Sequence, residues 1–369
     1  MLNNLKVPKN RLINIGPVFL VLGVYSFSFA YGNLRGNEFA LQDFREMVFN
    51  GLSLPVILYL APYIDIKKVF KRFVQLFLLI IPIWCLIAVP ERLLFKFEEL
   101  RIAHNAFLLL LLFPVSYYLL SMLLLKRYYM VAVLLTVVPF IASFSKVSVI
   151  MLFFSAIVAM AFSAYINPSG KNLLLSKFNL KIVFYIFLFS IIFILFAYSV
   201  NKYTDGSIET LIRYKFLKER FSSSGDIYYG EVSGGRFAMW IAALDSWKHK
   251  PFLGHGLGST VSFYHTGWIV TWKFHNYFFQ SLHNTGLVGI VLIIGGWFVW
   301  WRRTLGKLRL VQDIYNKIVF VSMAVFVLSV MFLGLFGHSL SYSPIALFFW
   351  LCIGVLCTIR KSELNIKAQ

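Results

Sequence analysis

Acidic side chains are scarce in this chain: 15 Asp and Glu stand against 35 Lys and Arg. Charge of either sign makes up only 14% of the 369 residues, while 59% are hydrophobic, and no long polar segment intervenes. A soluble fold cannot enclose that much apolar surface, so a water-soluble globular domain is excluded. Cysteine is nearly absent. Cys85, Cys352 and Cys357 all fall inside apolar runs, which excludes a disulfide framework and a cysteine-based metal site. Internal repeats and low-complexity tracts are missing too. The basic residues are scattered among loops, so the net charge of +20 is not the footprint of a nucleic-acid partner.

What is abundant is long apolar runs. About 20 apolar residues cross a bilayer as a helix. Such runs occupy roughly residues 12–31, 47–64, 73–90, 105–125, 129–144, 147–166, 182–200, 284–301, 318–337 and 344–359. The expectation is an all-α polytopic membrane protein, one domain over 1–369, with ten transmembrane helices. Lys6, Lys9 and Arg11 before the first run imitate a secretory signal, but nine further runs argue that it is kept. With ten spans, both termini and the loops 65–72, 126–127, 167–181 and 302–317 share one side. That side holds 20 of the 35 Lys and Arg; the short loops of the other side hold six. The bias makes the first side cytoplasmic and puts the long segment 201–283, between spans seven and eight, in the periplasm.

Chemistry collects on that outer side. All seven histidines and 12 of the 15 acids lie there or at its boundary. Within 201–283, Gly234-Gly235 precedes a helix opened by Arg236, with Trp240 one turn on. Pro251 follows, then the turn "GHGLG" of residues 254–258. A glycine-rich turn can aim N–H groups at phosphate, but this one fits no nucleotide fingerprint and reads first as a turn that needs positive φ. His275 and Asn276 stand where the loop enters an apolar run. At ~100° per residue, Gly286 falls within about 20° of the direction of His275 and Gly289 within about 40°. A continuous helix would carry both glycines as a stripe beneath the histidine, open to a neighbouring helix or a lipid tail. His283 would point about 80° away. Arg101, beside Glu98, Glu99 and His104, marks another outer boundary. The aromatics Trp240, Trp247, Tyr264, Trp268 and Trp272 fit an interfacial belt or a sugar-stacking surface.

The order Arg-x3-Trp, Pro-x2-Gly-x-Gly, then His-Asn-x9-Gly-x-x-Gly resembles the bacterial O-antigen polymerase and ligase superfamily over roughly residues 140–300. His275, Asn276, Gly286 and Gly289 match its histidine motif, and Arg236 its outer-loop arginine. A second family arginine follows Ser or Thr at the outer end of a mid-chain span; "SFSKVSV" places Lys146 there. Lysine keeps that charge and loses the two-pronged fork.

The resemblance implies a metal-independent, cofactor-free, inverting glycosyltransferase of the inner membrane. Its donor would be an oligosaccharide on undecaprenyl diphosphate, and its acceptor a glycan or lipid A-core. The outer loops contain no Asp-x-Asp pair to hold a divalent ion. The charge on the leaving diphosphate would therefore fall to Arg236, Lys146 and Arg101. Asn276, Gly286 and Gly289 would contact substrate, and His275 would take the acceptor's proton. A polymerase is the first reading, because such members are the more numerous and varied; a chain-length regulator would then be a partner. The alternative is a ligase delivering finished O-antigen to lipid A-core. The family's Arg-x10-Gly pattern is absent, since position 247 is Trp. A transporter of the same carrier, the third reading, conflicts with spans nearly free of charge. Alkaline phosphatase fused at Ser224 should be active and β-galactosidase fused there inactive. The reverse pattern would invert the topology.

Overall fold

The computed structural model describes residues 9–90, 100–125, 130–142, 146–166, 236–265, 268–272, 276–335 and 343–359. The helices are α1 (Lys9–Leu34), α2 (Ala40–Met47), α3 (Leu54–Leu60), α4 (Ile66–Pro90), α5 (Leu100–Leu125), α6 (Met130–Ala142) and α7 (Lys146–Ile166). They continue with α8 (Arg236–Lys248), α9 (Tyr277–Leu310), α10 (Ile314–Leu333) and α11 (Ser343–Cys357). Among the described residues, Ile15–Leu34, Phe107–Leu125, Tyr277–Leu310 and Ile314–Leu333 are long and apolar enough to cross a membrane. Shorter apolar helices cover Val131–Phe140, Ile150–Ile166 and Pro344–Cys357.

Two expectations are corrected. The run at 47–64 is segmented into a 3₁₀ turn (Phe49–Ser53), α3 and a second 3₁₀ turn (Ala61–Tyr63). Pro55 and Pro62 sit at the starts of the last two pieces, where the missing N–H costs least. The fold is also not purely helical: β1 (Val261–His265) and β2 (Trp268–Trp272) pair antiparallel, Val261 opposite Trp272 and His265 opposite Trp268. The run at 182–200 lies outside the described residues.

The centre of the bundle is α5 against α10. Leu108, Leu111, Leu112, Phe113, Met323, Val325 and Phe326 are buried, as expected of helices apolar all round. Phe70, Phe73, Phe113, Phe326 and Phe348 form one ring cluster there, with centroids 4.9–6.1 Å apart. Two buried hydroxyls pair beside it, Ser116 Oγ and Ser155 Oγ lying 3.0 Å apart.

The contacts also fix helix direction. Phe162 of α7 stacks on Trp301 of α9 and Tyr165 lies under Arg309, so α7 runs parallel to α9. Lys67 at the start of α4 meets Asp313 at the start of α10, 3.4 Å away. Then α5 packs antiparallel on α4, Phe113 on Phe70 and Phe107 on Trp84. Hence α5, α7 and α9 all begin at one end of the bundle.

At that end α9 is broken. Gly286 takes φ 66° and ψ −171° inside the helix, which leaves the carbonyls of 283 and 284 and the amides of 287 and 288 in need of partners. The turn after α8 supplies all four. His255 N–H donates to the His283 carbonyl (2.9 Å) and Gly256 N–H to Asn284 (2.9 Å). Leu287 N–H donates to Pro251 (2.7 Å) and Val288 N–H to Phe252 (3.2 Å). A Cβ on Gly286 would collide with the Phe252 carbonyl, and one on Gly254 would lie 2.5 Å from the His283 oxygen. Gly286→Ala should therefore cost about 1–3 kcal/mol from the positive φ alone and lower the thermal midpoint in detergent. Gly295→Ala, with open space around its Cβ, is the matched control. Equal midpoints would remove the splice from the account.

Candidate active site

The end of the bundle where α5, α7 and α9 begin carries the residues singled out from the sequence. Arg101 is the second residue of α5, Lys146 the first of α7 and Arg236 the first of α8. Asn276 caps α9, its Oδ1 accepting from Phe278 N–H (2.8 Å) and Phe279 N–H (3.1 Å). Its Nδ2 donates to the Leu335 carbonyl (2.7 Å), while Tyr277 N–H donates to Gly334 (2.8 Å). Asn276 thus ties the start of α9 to the end of α10. His275, one residue earlier, lies outside the described residues.

α8 runs parallel to the first segment of α9. Trp240 stacks on Phe279 (centroids 5.3 Å apart), Ser246 reaches His283, and Pro251 reaches Leu287. Because the pairs advance in the same direction along both helices, their N-termini lie together. Arg236 is one turn before Trp240 and Asn276 nearly one turn before Phe279, about 6 Å and 4.5 Å along the axes. Two helix starts side by side direct two positive dipole ends the same way, while the first amides of α9 are taken by Asn276 and Gly334. Such an end favours an anion.

Several sequence expectations change here. Gly286 and Gly289 do not continue the helical phase of the first segment of α9, because the break at Gly286 resets it. Both glycines face protein: Gly286 meets Phe252 and Gly254, and Gly289 meets Thr285 and Val24 of α1. The turn 254–258 is the positive-φ turn expected, with Gly254, Gly256 and Gly258 at φ 70–86°, and its amides are spent within the fold. Besides the bonds of His255 and Gly256, Leu257 N–H donates to the Ser28 carbonyl (3.0 Å) and Gly258 N–H to Asp43 Oδ2 (3.0 Å). Trp247 Nε1–H donates to the Pro251 carbonyl (3.0 Å). With Trp240 on Phe279, both indoles pack α8 in place rather than forming a belt. His283 is no bystander: it is buried and touches Ser246, Ser259 and Asn284.

The connector 35–47 is a clamp on this turn. Asn37 Nδ2 donates to the carbonyls of His255 (3.1 Å) and Leu257 (2.9 Å). Asp43 is buried on α2 and also accepts from Gln280 Nε2 (3.3 Å). A carboxylate in the "ALQDFREM" helix of strong amphipathic pattern, set against a glycine turn rich in N–H donors, was the available signal. Asn276→Ala should lower stability by about 1 kcal/mol through loss of the cap. Asn276→Ser, which keeps a capping oxygen, should recover most of that in thermal unfolding. Equal losses would place the effect in the bond to Leu335 instead.

Residues 130–294 match the model of a family described as O-antigen ligase. No curated protein matches the chain. The matched segment runs from α6 to the middle of α9 and includes α8, the spliced turn and every residue of the His-Asn-x9-Gly-x-x-Gly motif. That match supports the resemblance to the O-antigen polymerase and ligase superfamily, and the long apolar helices among the described residues fit a multi-pass membrane protein.

Proposed function

We propose that the protein transfers a glycan from an undecaprenyl diphosphate carrier to a sugar hydroxyl on the periplasmic face of the inner membrane. In this reading both termini are cytoplasmic and the product is a lengthened surface polysaccharide such as O-antigen. The observation that supports it is the pairing of the α8 and α9 helix starts, which brings the first residue of α8, Arg236, to the same end of the bundle as Asn276.

The donor's leaving group is a diphosphate, and its negative charge grows as the anomeric bond breaks. Fixed positive groups aimed at that charge lower the barrier. Arg236 grips phosphate through paired hydrogen bonds and stays protonated, and the two helix starts add their dipoles. Lys146 and Arg101, at the starts of α7 and α5, extend the cationic rim. His275, with an ordinary imidazole pKa near neutrality, accepts the acceptor hydroxyl's proton as oxygen attacks the anomeric carbon. One displacement inverts that carbon. Nearby cations keep the imidazole neutral, as a base must be. Asn276 acts by seating the start of α9, and Gly286 and Gly289 by admitting the turn and α1.

An apolar cleft of about 190 Å³ beside this end supports a lipid-borne donor; it is lined by Tyr25, Tyr277, Phe278, Ile290, Met331 and Leu335 among others. Apolar side chains are what an isoprenoid tail needs. The description of the matching family favours a second reading, a ligase that delivers finished O-antigen to lipid A-core. The donor chemistry is shared and only the acceptor differs. A deletion strain separates the two. Core bearing a single repeat identifies a polymerase, and bare core with accumulated lipid-linked polymer identifies a ligase.

Arg236→Ala should abolish transfer without affecting membrane insertion, and Arg236→Lys should recover little of it. Lys146→Arg should be tolerated. His275→Ala should slow turnover by roughly 10²–10⁴-fold with donor binding retained, and wild-type activity should fall as pH drops below neutrality. Near-normal turnover of His275→Gln with an unchanged pH profile would eliminate proton abstraction. Inhibition by EDTA that Mg²⁺ reverses would eliminate the metal-free mechanism.

A further inference from the structure

Where α8 meets the break in α9, a second pair of imidazoles is built into the fold. His255 and His283 stack face to face, centroids 4.4 Å apart and planes 7° from parallel. Both rings hold Ser246, near the last turn of α8. His255 Nε2 lies 2.9 Å from the Ser246 carbonyl, to which only an N–H can donate. His283 Nε2 and the Ser246 hydroxyl lie 3.0 Å apart and share one hydrogen. On its other side, His283 Nδ1 lies 3.1 Å from Ser259 Oγ and 3.3 Å from Asn284 Oδ1. Ser259 Oγ is also within 2.9 Å of both Asn284 Oδ1 and the Gly256 carbonyl. His283 is 1% exposed and Asn284 fully buried.

We propose that His283 is a positioning residue for glycan transfer, locking α8 against α9 through Ser246 so that the helix start at Arg236 stays in register with the one at Asn276. The inference rests on the function proposed above. The physical argument is one of leverage. α8 is joined to the described part of the outer region through the turn and β1, and its first half is held by the Trp240–Phe279 stack and the Met239, Ala243 and Val261 contacts. Those contacts are apolar and allow sliding along the axis. The imidazole bonds at Ser246 are directional and allow none. A slip of one hydrogen-bond length at Ser246 moves Arg236, at the other end of a rigid 13-residue helix, by the same amount. A misplacement of about 1 Å at a reacting centre costs on the order of 100-fold.

The test uses full-length protein in nanodiscs with Cys85, Cys352 and Cys357 replaced by alanine. Spin labels go at Ile241 of α8 and Val291 of α9, both exposed and neither lining the apolar cleft. Their distance distribution reads the α8–α9 register without any glycan chemistry, and turnover of a lipid-diphosphate-linked oligosaccharide is measured in parallel. A glutamine amide reaches the Nε2 position of the ring and an asparagine amide only Nδ1, so the two variants separate the link to Ser246 from the link to Ser259. His283→Ala and His283→Asn should broaden the distance distribution and lower kcat by about 10- to 100-fold. His283→Gln should restore both. Ser246→Ala should match His283→Ala, and the double variant should be no worse than either single. An unchanged distance distribution in His283→Ala, or equal behaviour of Gln and Asn, would overturn the proposal. If the wild type transfers no glycan at all, the functional reading fails, while the label distances still decide whether the lock exists.

Discussion

The arrangement at the outer end of the bundle depends on a turn inserted into a broken helix. A helix that stops and restarts inside a packed bundle leaves backbone donors and acceptors that water cannot reach, each costing about 1–3 kcal/mol if left alone. Here residues 251–256 supply those partners around Gly286. The cost of the break is thereby converted into a constraint: the turn can sit only there, and α8, which feeds it, must lie along the first segment of α9. Two helix starts that are 40 residues apart in sequence become neighbours.

The constraint also explains why a segment rich in polar residues can stand at the mouth of an apolar helix. Gln280, Ser281, His283 and Asn284 are buried and each has a partner in another element, while Thr285 bonds Ser281 within α9 and Gln280 Oε1 and Asn284 Nδ2 have none. Tyr25 of α1 bonds Ser281 (2.7 Å), Ser28 donates to the Asn284 carbonyl (3.0 Å), and Asp43 takes Gln280. Polar groups this buried would cost several kcal/mol each in hydrocarbon without such bonds. The segment is therefore an interior surface shared by α1, α2, α8 and the turn. Its hydrogen bonds set geometry where apolar packing alone would permit drift.

Much of the helical part was legible in the sequence because apolar length carries it: the runs at 12–31, 105–125 and 318–337 reappear as α1, α5 and α10. The motif order likewise pointed to the superfamily before any helix was placed. What the sequence did not convey was long-range. The stripe argument for Gly286 and Gly289 assumed an unbroken 3.6-residue period, and a single positive φ cancels it. His283 looked like a neutral neighbour because its angle was reckoned from His275 along that same ideal helix. Asn37 and Asp43 have partners 215 to 237 positions away, which are not reached by reading along the chain. The hairpin 261–272 was missed because its short strands are as aromatic and apolar as the spans around them.

The central claim is a single displacement at the anomeric carbon, with His275 taking the proton and the paired helix starts holding the diphosphate. Its stereochemistry is the most direct record of that event. Purified protein is supplied with a lipid-diphosphate-linked oligosaccharide of known anomeric configuration, and the new glycosidic linkage is read by the one-bond carbon–hydrogen coupling in NMR. The account predicts the opposite configuration in the product. The same configuration as in the donor would require a covalent glycosyl-enzyme intermediate or a free cation, and would contradict the role given to His275.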